Sequence, residues 1–118
     1  MLNDSLGVIG NYKTFTNIAN VEVTAGIWTK LVSTGKLSAG TYMFVADISD
    51  RISTHYLRIA NTISIDAIVV GGNVPYGSRH ITTVAYIAEG IDLSIYVYLS
   101  ANTTIASFEA RLQAIRIK

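Results

Sequence analysis

The chain is 118 residues long and carries 9 Lys and Arg against 8 Asp and Glu, for a formal net charge of +1. That length gives room for one domain; half of the residues are hydrophobic and only 14% are charged, which excludes disorder, and the scattered basic residues exclude a nucleic-acid footprint. Cys is absent, so disulfide scaffolds, thiolate metal sites and cysteine nucleophiles are excluded as well.

Ile, Val and Thr number 16, 10 and 12. Such β-branched side chains prefer a pleated strand to a helical turn, so the expectation is a small all-β domain rather than a helical bundle. No apolar run approaches the roughly 18 to 20 residues that span a bilayer, and no membrane insertion is expected. Met1 to Gly10 lacks the basic-then-apolar order of a secretory signal. Mean hydropathy is +0.39, high for a small soluble monomer. A small domain has proportionally more surface, so part of this apolar material is expected to lie between subunits.

Residues 1–20 are polar and Asn/Thr-rich, with one alternating stretch from Val8 to Thr16. They read as an N-terminal arm or a connection to a preceding segment, with the domain proper over 21–118. From Val21 onward, short β-rich runs alternate with turn signals, the pattern of a sandwich or barrel. The predicted strands are Val21 to Thr24, Ile27 to Thr34 and Thr41 to Ser49, with turns at Ala25-Gly26, Gly35 and Ala39-Gly40. In the third of these, Tyr42, Phe44, Ala46 and Ile48 share one face. Asp50-Arg51 ends it, and two further strands are predicted over His55 to Ala60 and Ile63 to Val70, with a turn near Asn61.

The stretch Gly71-Gly72-Asn73-Val74-Pro75-Tyr76-Gly77 holds the only proline and three glycines, the composition of an exposed loop. Arg79 to Ala88 resumes the strand pattern, Glu89-Gly90 makes a tight turn, and Ile91 to Ser100 alternates most regularly of all. There Ile91, Leu93, Ile95, Val97 and Leu99 form one face, while Asp92, Ser94, Tyr96, Tyr98 and Ser100 form the other. The C-terminal segment is open between two readings. Ile105, Phe108, Leu112 and Ile115 lie at helical spacing, whereas Phe108, Ala110, Leu112 and Ala114 share a face in a strand, with a bulge before Ile115. About eight to ten strands are expected in all.

Two segments carry a resemblance. Lys36-Leu37-Ser38-Ala39-Gly40-Thr41-Tyr42-Met43-Phe44-Val45 resembles the small-residue turn and Gly-Thr-Tyr-apolar-Phe signature of jelly rolls of the C1q and tumour-necrosis-factor group. The hairpin around Ala88-Glu89-Gly90-Ile91-Asp92-Leu93 is similar to that group's, as is a closing strand from Ser107-Phe108 through Ile117. Low charge, Ser/Thr/Asn richness and absent cysteine look most like head domains of phage tail and baseplate receptor-binding proteins. The resemblance covers about residues 21–118. It implies an antiparallel jelly-roll β-sandwich assembling as a homotrimer in a virion, with other tail or baseplate proteins as partners. It also implies a trimer-axis role for aromatic residues of a long paired strand, which Tyr96 and Tyr98 could fill.

Catalytic signals are thin. His55 and His80 are the only imidazoles and stand 25 positions apart, without metal-ligand spacing. None of the ten serines lies in a Gly-x-Ser-x-Gly elbow, and Gly71-Gly72 lacks the Lys and helix of a phosphate loop. No enzyme, metal or cofactor is expected. Binding has better candidates: Trp28, the single tryptophan, and Asn73, Tyr76, Arg79 and His80 in and beside the Gly-rich loop. Flat aromatics beside amide, guanidinium and imidazole donors suit a saccharide, whose C–H face stacks while its hydroxyls hydrogen-bond. A second polar-aromatic group, Asp47, Asp50, Arg51, His55 and Tyr56, surrounds a strand end. The expected function is recognition of a host-surface carbohydrate by a virion head domain. The alternatives are a structural trimerisation or adaptor domain without ligand, and a carbohydrate-binding or C1q-like module of a secreted bacterial protein.

Overall fold

A computed structural model of the chain describes residues 9–49, 52, 54–72 and 79–118. Among them are ten strands and no helix: β1 (Tyr12–Thr16), β2 (Val21–Val23), β3 (Thr29–Lys36), β4 (Gly40–Ile48), β5 (Thr54–Asn61), β6 (Gly71–Gly72), β7 (His80–Ile87), β8 (Asp92–Leu99), β9 (Thr103–Ile105) and β10 (Ala110–Arg116). They form a β-sandwich of two four-stranded antiparallel sheets, ordered β1-β10-β4-β7 and β3-β8-β5-β6, with a two-stranded β2-β9 ribbon beside them. The first strand pairs with the tenth, the second with the ninth, the third with the eighth, the fourth with the seventh and the fifth with the sixth. The chain is thus a nested hairpin folded over itself, and two further ladders, β10-β4 and β5-β8, close each sheet.

Period-2 alternation builds the core. In β4, Tyr42, Phe44, Ala46 and Ile48 are buried between the sheets and their neighbours are not. From the facing sheet, Leu93, Ile95, Val97 and Leu99 of β8 and Leu57 and Ile59 of β5 complete the interior. Each such buried aliphatic contributes on the order of 1.5–3 kcal/mol of transfer free energy. Gly71 lets the two sheets approach at one edge, because a Cβ there would stand 2.9 Å from the Ile81 Cγ2 atom.

The C-terminal segment resolves into β9, a turn over residues 106–109, and β10. β10 lies between β1 and β4, and those two ladders outweigh the helical spacing of its apolar residues. Its register runs unbroken from Ala110 opposite Ile48 to Arg116 opposite Tyr42, so no bulge interrupts it. Phe108 leaves the expected apolar face: it occupies the turn at φ 68° and is 68% exposed. Within the segment read as an arm, Tyr12–Thr16 is a strand of the sheet, because its backbone pairs with β10.

The strand expected over Ile63 to Val70 is instead a looped segment, with Ile63 93% exposed. Local hydrogen bonds turn the chain there. The Asn61 side-chain oxygen accepts from the Ile63 N–H, and Ser64 and Ala67 donate to Asn61 and Ser64 carbonyls. Such side-chain and turn bonds satisfy backbone groups that a ladder would otherwise need.

Candidate functional site

The outer face of the β3-β8-β5-β6 sheet carries an aromatic cluster. Tyr56 of β5 is the direct cross-strand partner of Tyr98 of β8. Trp28, one residue before β3, extends the same row, since its neighbour Thr29 faces Val97. The ring centroids stand 5.5 Å apart for Trp28 and Tyr98, 6.3 Å for Trp28 and Tyr56, and 5.9 Å for Tyr56 and Tyr98. Tyr56 is the most open of the three at 40% exposure, whereas Trp28 and Tyr98 are half-buried. The loop carrying Trp28 is fixed from the far side: the Asn102 side chain accepts from the Ala25 N–H at 2.8 Å, and Gly26 donates to the Leu99 carbonyl at 3.0 Å.

Arg58, two residues along β5 on the same face, lays its guanidinium 4.8 Å from the Trp28 ring centre. The same guanidinium donates to the Ile65 carbonyl and to Asp66, both at 3.2 Å. Its contact with the indole is a cation–π interaction, and its bond to Ile65 ties the 61–69 segment down onto the sheet. That segment also covers Tyr96, whose hydroxyl donates to the Asn61 and Thr62 carbonyls at 2.6 and 3.0 Å. Burial raises the Tyr96 pKa above the ordinary tyrosine value, and the Asp92 charge adds to the effect. In the core, burial likewise raises that of Tyr42, against the lowering influence of Arg116.

Tyr96 and Tyr98, paired by the sequence reading at a trimer axis, therefore have different surroundings. Tyr96 is 7% exposed and is covered by its own chain, because the 61–69 segment is a loop over the sheet rather than another strand in it. Tyr98 belongs to the aromatic cluster. Of the saccharide candidates, Trp28 lies in this cluster, while Asn73 and Tyr76 fall outside the described residues. Arg79 and His80 stand at the start of β7, on the other sheet. Arg79 donates through Nε to the Ile52 carbonyl at 2.5 Å, which holds the turn after β4.

His80 joins a different group on the outer face of the β1-β10-β4-β7 sheet. Its Nδ1 is 2.5 Å from one Asp47 carboxylate oxygen and its Nε2 is 2.9 Å from the Thr82 hydroxyl; the other Asp47 oxygen is 3.7 Å from Arg111. A polar cleft of about 330 Å³ adjoins it, lined by Asp47, Ser49, Phe108, Glu109 and Arg111. Asp47 and Arg111 are engaged with each other, and Glu109 with the turn, where it accepts from the Ala106 N–H. Among the described residues no group of three His, Asp or Glu side chains could hold a metal ion. The same face changes character along its strands. One row reads Thr16, Arg111, Asp47, His80, and four residues further along another reads Tyr12, Ile115, Met43, Val84, with Tyr86 beyond it.

Chemically, the Trp28 cluster offers apolar ring area bordered by phenol hydroxyls, a guanidinium and the exposed Lys30. Sequence reasoning singled out Trp28, Tyr56 and Tyr98 in three separate contexts and did not single out Arg58. Cross-strand pairing of residues more than forty positions apart brings them together, and the only signal for it was the outward phase shared by Tyr56 and Arg58.

Neither a protein-family model nor a curated protein sequence matches the chain. Among solved structures, similarity is found to the family 29 carbohydrate-binding module CBM29-2, as a point mutant complexed with mannohexaose, with a TM-score of 0.38 and 13% identity over 92% of this chain and 90% of that one. A second point mutant of the same module gives the same score and identity over 92% of this chain and 84% of the other. At this distance the ligand of the present chain has to be argued from its own residues.

Proposed function

We propose that this domain binds a saccharide, without catalysing a reaction on it, through the aromatic face formed by Trp28, Tyr56 and Tyr98. The observation that carries the reading is the convergence of the three rings on an outward sheet face with Tyr56 open to solvent. Sugars present C–H faces that stack on such rings and hydroxyls that hydrogen-bond to the donors around them. Around it we place the finer reading: a jelly-roll head domain of a phage tail or baseplate protein, carried on the virion, that recognises host-surface carbohydrate as a homotrimer. The nested strand pairing supports the jelly roll, since that fold is a long hairpin rolled into two sheets. The apolar row Tyr12, Ile115, Met43 and Val84 supports self-association, because exposed apolar surface of that kind marks an interface. The tail or baseplate setting rests on the sequence resemblance. Three weak sites on one rigid trimer would then gain strength through avidity.

The test is retention of the intact chain on immobilised bacterial cell-wall glycans, beside the double variant Tyr56→Ala/Tyr98→Ala. Binding by the parent and its loss in a folded double variant are expected. Binding that survives both substitutions overturns the placement, and a monomer in light-scattering chromatography overturns the trimer. The apolar row favours one alternative, a structural trimerisation domain without ligand. A trimer to which no glycan binds would establish it instead.

A further inference from the structure

We infer that the aromatic face takes a single sugar unit, a terminal or branch residue of a glycan, rather than an internal run of a linear polysaccharide. This rests on the saccharide reading above and adds the size and manner of what is bound.

The three ring centroids form a triangle with edges of 5.5, 5.9 and 6.3 Å. Tyr98 is inclined at 62° to Trp28 and at 57° to Tyr56, so the rings pack on one another in one compact patch and do not line up as a track for successive units. The stacking surface also ends on both sides along the strands. One row further, Tyr96 would be the next outward ring, but its hydroxyl is donated to the Asn61 and Thr62 carbonyls and the looped 61–69 segment lies over it. Beyond that row the face is committed to an internal chain of hydrogen bonds, with Ser33 and Ser94 oxygens 2.6 Å apart, Thr62 2.6 Å from Ser94, and Thr62 donating to Asp92 at 2.8 Å. On the opposite side the Gly26 turn closes against Tyr98: a Cβ on Gly26 would stand 3.7 Å from the Tyr98 hydroxyl oxygen. Among the described residues of this sheet, no further aromatic side chain is exposed on the outer face.

Among the described residues, a ligand that stacks here therefore meets aromatic area under one ring only. Polar contacts for that ring come from the border: the Tyr56 and Tyr98 hydroxyls, Arg58, and Lys30, which lies opposite Tyr96 in the β3-β8 ladder. A second or third sugar unit would pass over the 61–69 segment or out into solvent. Among the described residues it gains no stacking partner there, so chain length contributes little to affinity.

Trp28 is the only tryptophan in the chain, so its fluorescence reports this site alone. The experiment titrates the intact chain with methyl glycosides of common hexoses and N-acetylhexosamines, and with homo-oligomers of two to six units of each, following Trp28 emission. The expected result is that the best methyl glycoside binds within about threefold of its oligomers. An affinity that climbs by about tenfold or more with chain length, and that Tyr56→Ala weakens, overturns the single-unit inference and leaves saccharide binding standing. No response to sugars of any length overturns both.

Discussion

Tyr56 and Tyr98 stand directly opposite each other across the β5-β8 ladder, ring centroids 5.9 Å apart and planes tilted by 57°. Paired strands bring these residues, 42 positions apart in the chain, into one surface, and the difference in their exposure separates binding from folding. Tyr56 contributes open area, whereas Trp28 is packed by Arg58 and by both tyrosines. Tyr56→Ala is thus expected to weaken glycan binding by about three- to tenfold, in line with about 0.5–1.5 kcal/mol for an aromatic contact, with little change in urea midpoint. Trp28→Ala is expected to lower both, and titration beside urea denaturation distinguishes the two patterns.

Asn17 is a polar residue buried where β1 ends. Its amide donates to the Ala106 and Ala19 carbonyls at 2.8 and 3.1 Å, and its oxygen accepts from the Ala110 N–H at 3.0 Å. Asn17→Ala leaves the buried Ala110 N–H without that partner and frees the 106–109 turn. A loss of about 2–3 kcal/mol is expected in denaturant unfolding, well above the median for a point substitution.

Phe108 holds a left-handed conformation, φ 68°, while exposing most of its side chain. A non-glycine residue loses roughly 1–2 kcal/mol in that region, and an exposed ring returns little packing. Phe108→Gly is therefore expected to raise the melting temperature, offset in part by the greater freedom of glycine in the unfolded chain. A lower melting temperature would mean that the ring has a partner in solution, with the adjoining Asp47–Arg111 cleft as the first place to look.

The raised pKa values of Tyr96 and Tyr42 fix the sign of an alkaline effect. The folded protein keeps these phenol protons at pH values where the unfolded chain has begun to lose them. Their stabilising contribution is whole below the unfolded value of about 10 and is lost as pH rises through the folded values. Urea midpoints measured from about pH 8 to 11 should fall only at the upper end of that range. Tyr96→Phe should flatten the fall, at a loss of about 1 kcal/mol at neutral pH from its missing hydrogen bonds.

Val84 lies at the end of the row Tyr12, Ile115, Met43 on the outer face of the other sheet. Val84→Asp introduces a charge into that row while leaving the core untouched. Under the proposed trimer, light scattering should show dissociation to monomer with an unchanged circular-dichroism spectrum. A trimer unaffected by the substitution would move the contact to another face.

The strands were legible because β4 buries every second residue and β8 alternates aliphatic with polar or aromatic side chains, signals that survive without partners. What sequence could not carry was cover. Ile63, Ile65 and Ala67 alternate with Ser64 and Asp66 as a strand would, yet the Asn61 side chain and two turns roll the segment over Tyr96 and Arg58. That cover gives Tyr96 surroundings within its own chain, where a neighbouring subunit had been expected. The site divides in the same way. Trp28 was visible as the lone tryptophan, but its link to Tyr56, Arg58 and Tyr98 depends on ladder register, which no local spacing encodes. Arg79 and His80 were near Tyr76 in sequence and lie on the opposite sheet from Trp28.

The nesting of the ladders sets an order of assembly. Bringing Tyr12 to Ile115 in an open chain closes a loop of about a hundred residues, and the entropy of that closure precedes any return from contacts. Once the inner pairs have formed, the ends are already close and the same ladder closes cheaply. The molecule would then assemble as a zip does, from the β5-β6 end outward, at the slow pace of a fold dominated by distant pairings. By the same logic β1 docks last and, at the open edge of its sheet, comes away first. Its amides should be the earliest in the sandwich to exchange with solvent, while those of β8, held by ladders on both sides, should be among the last.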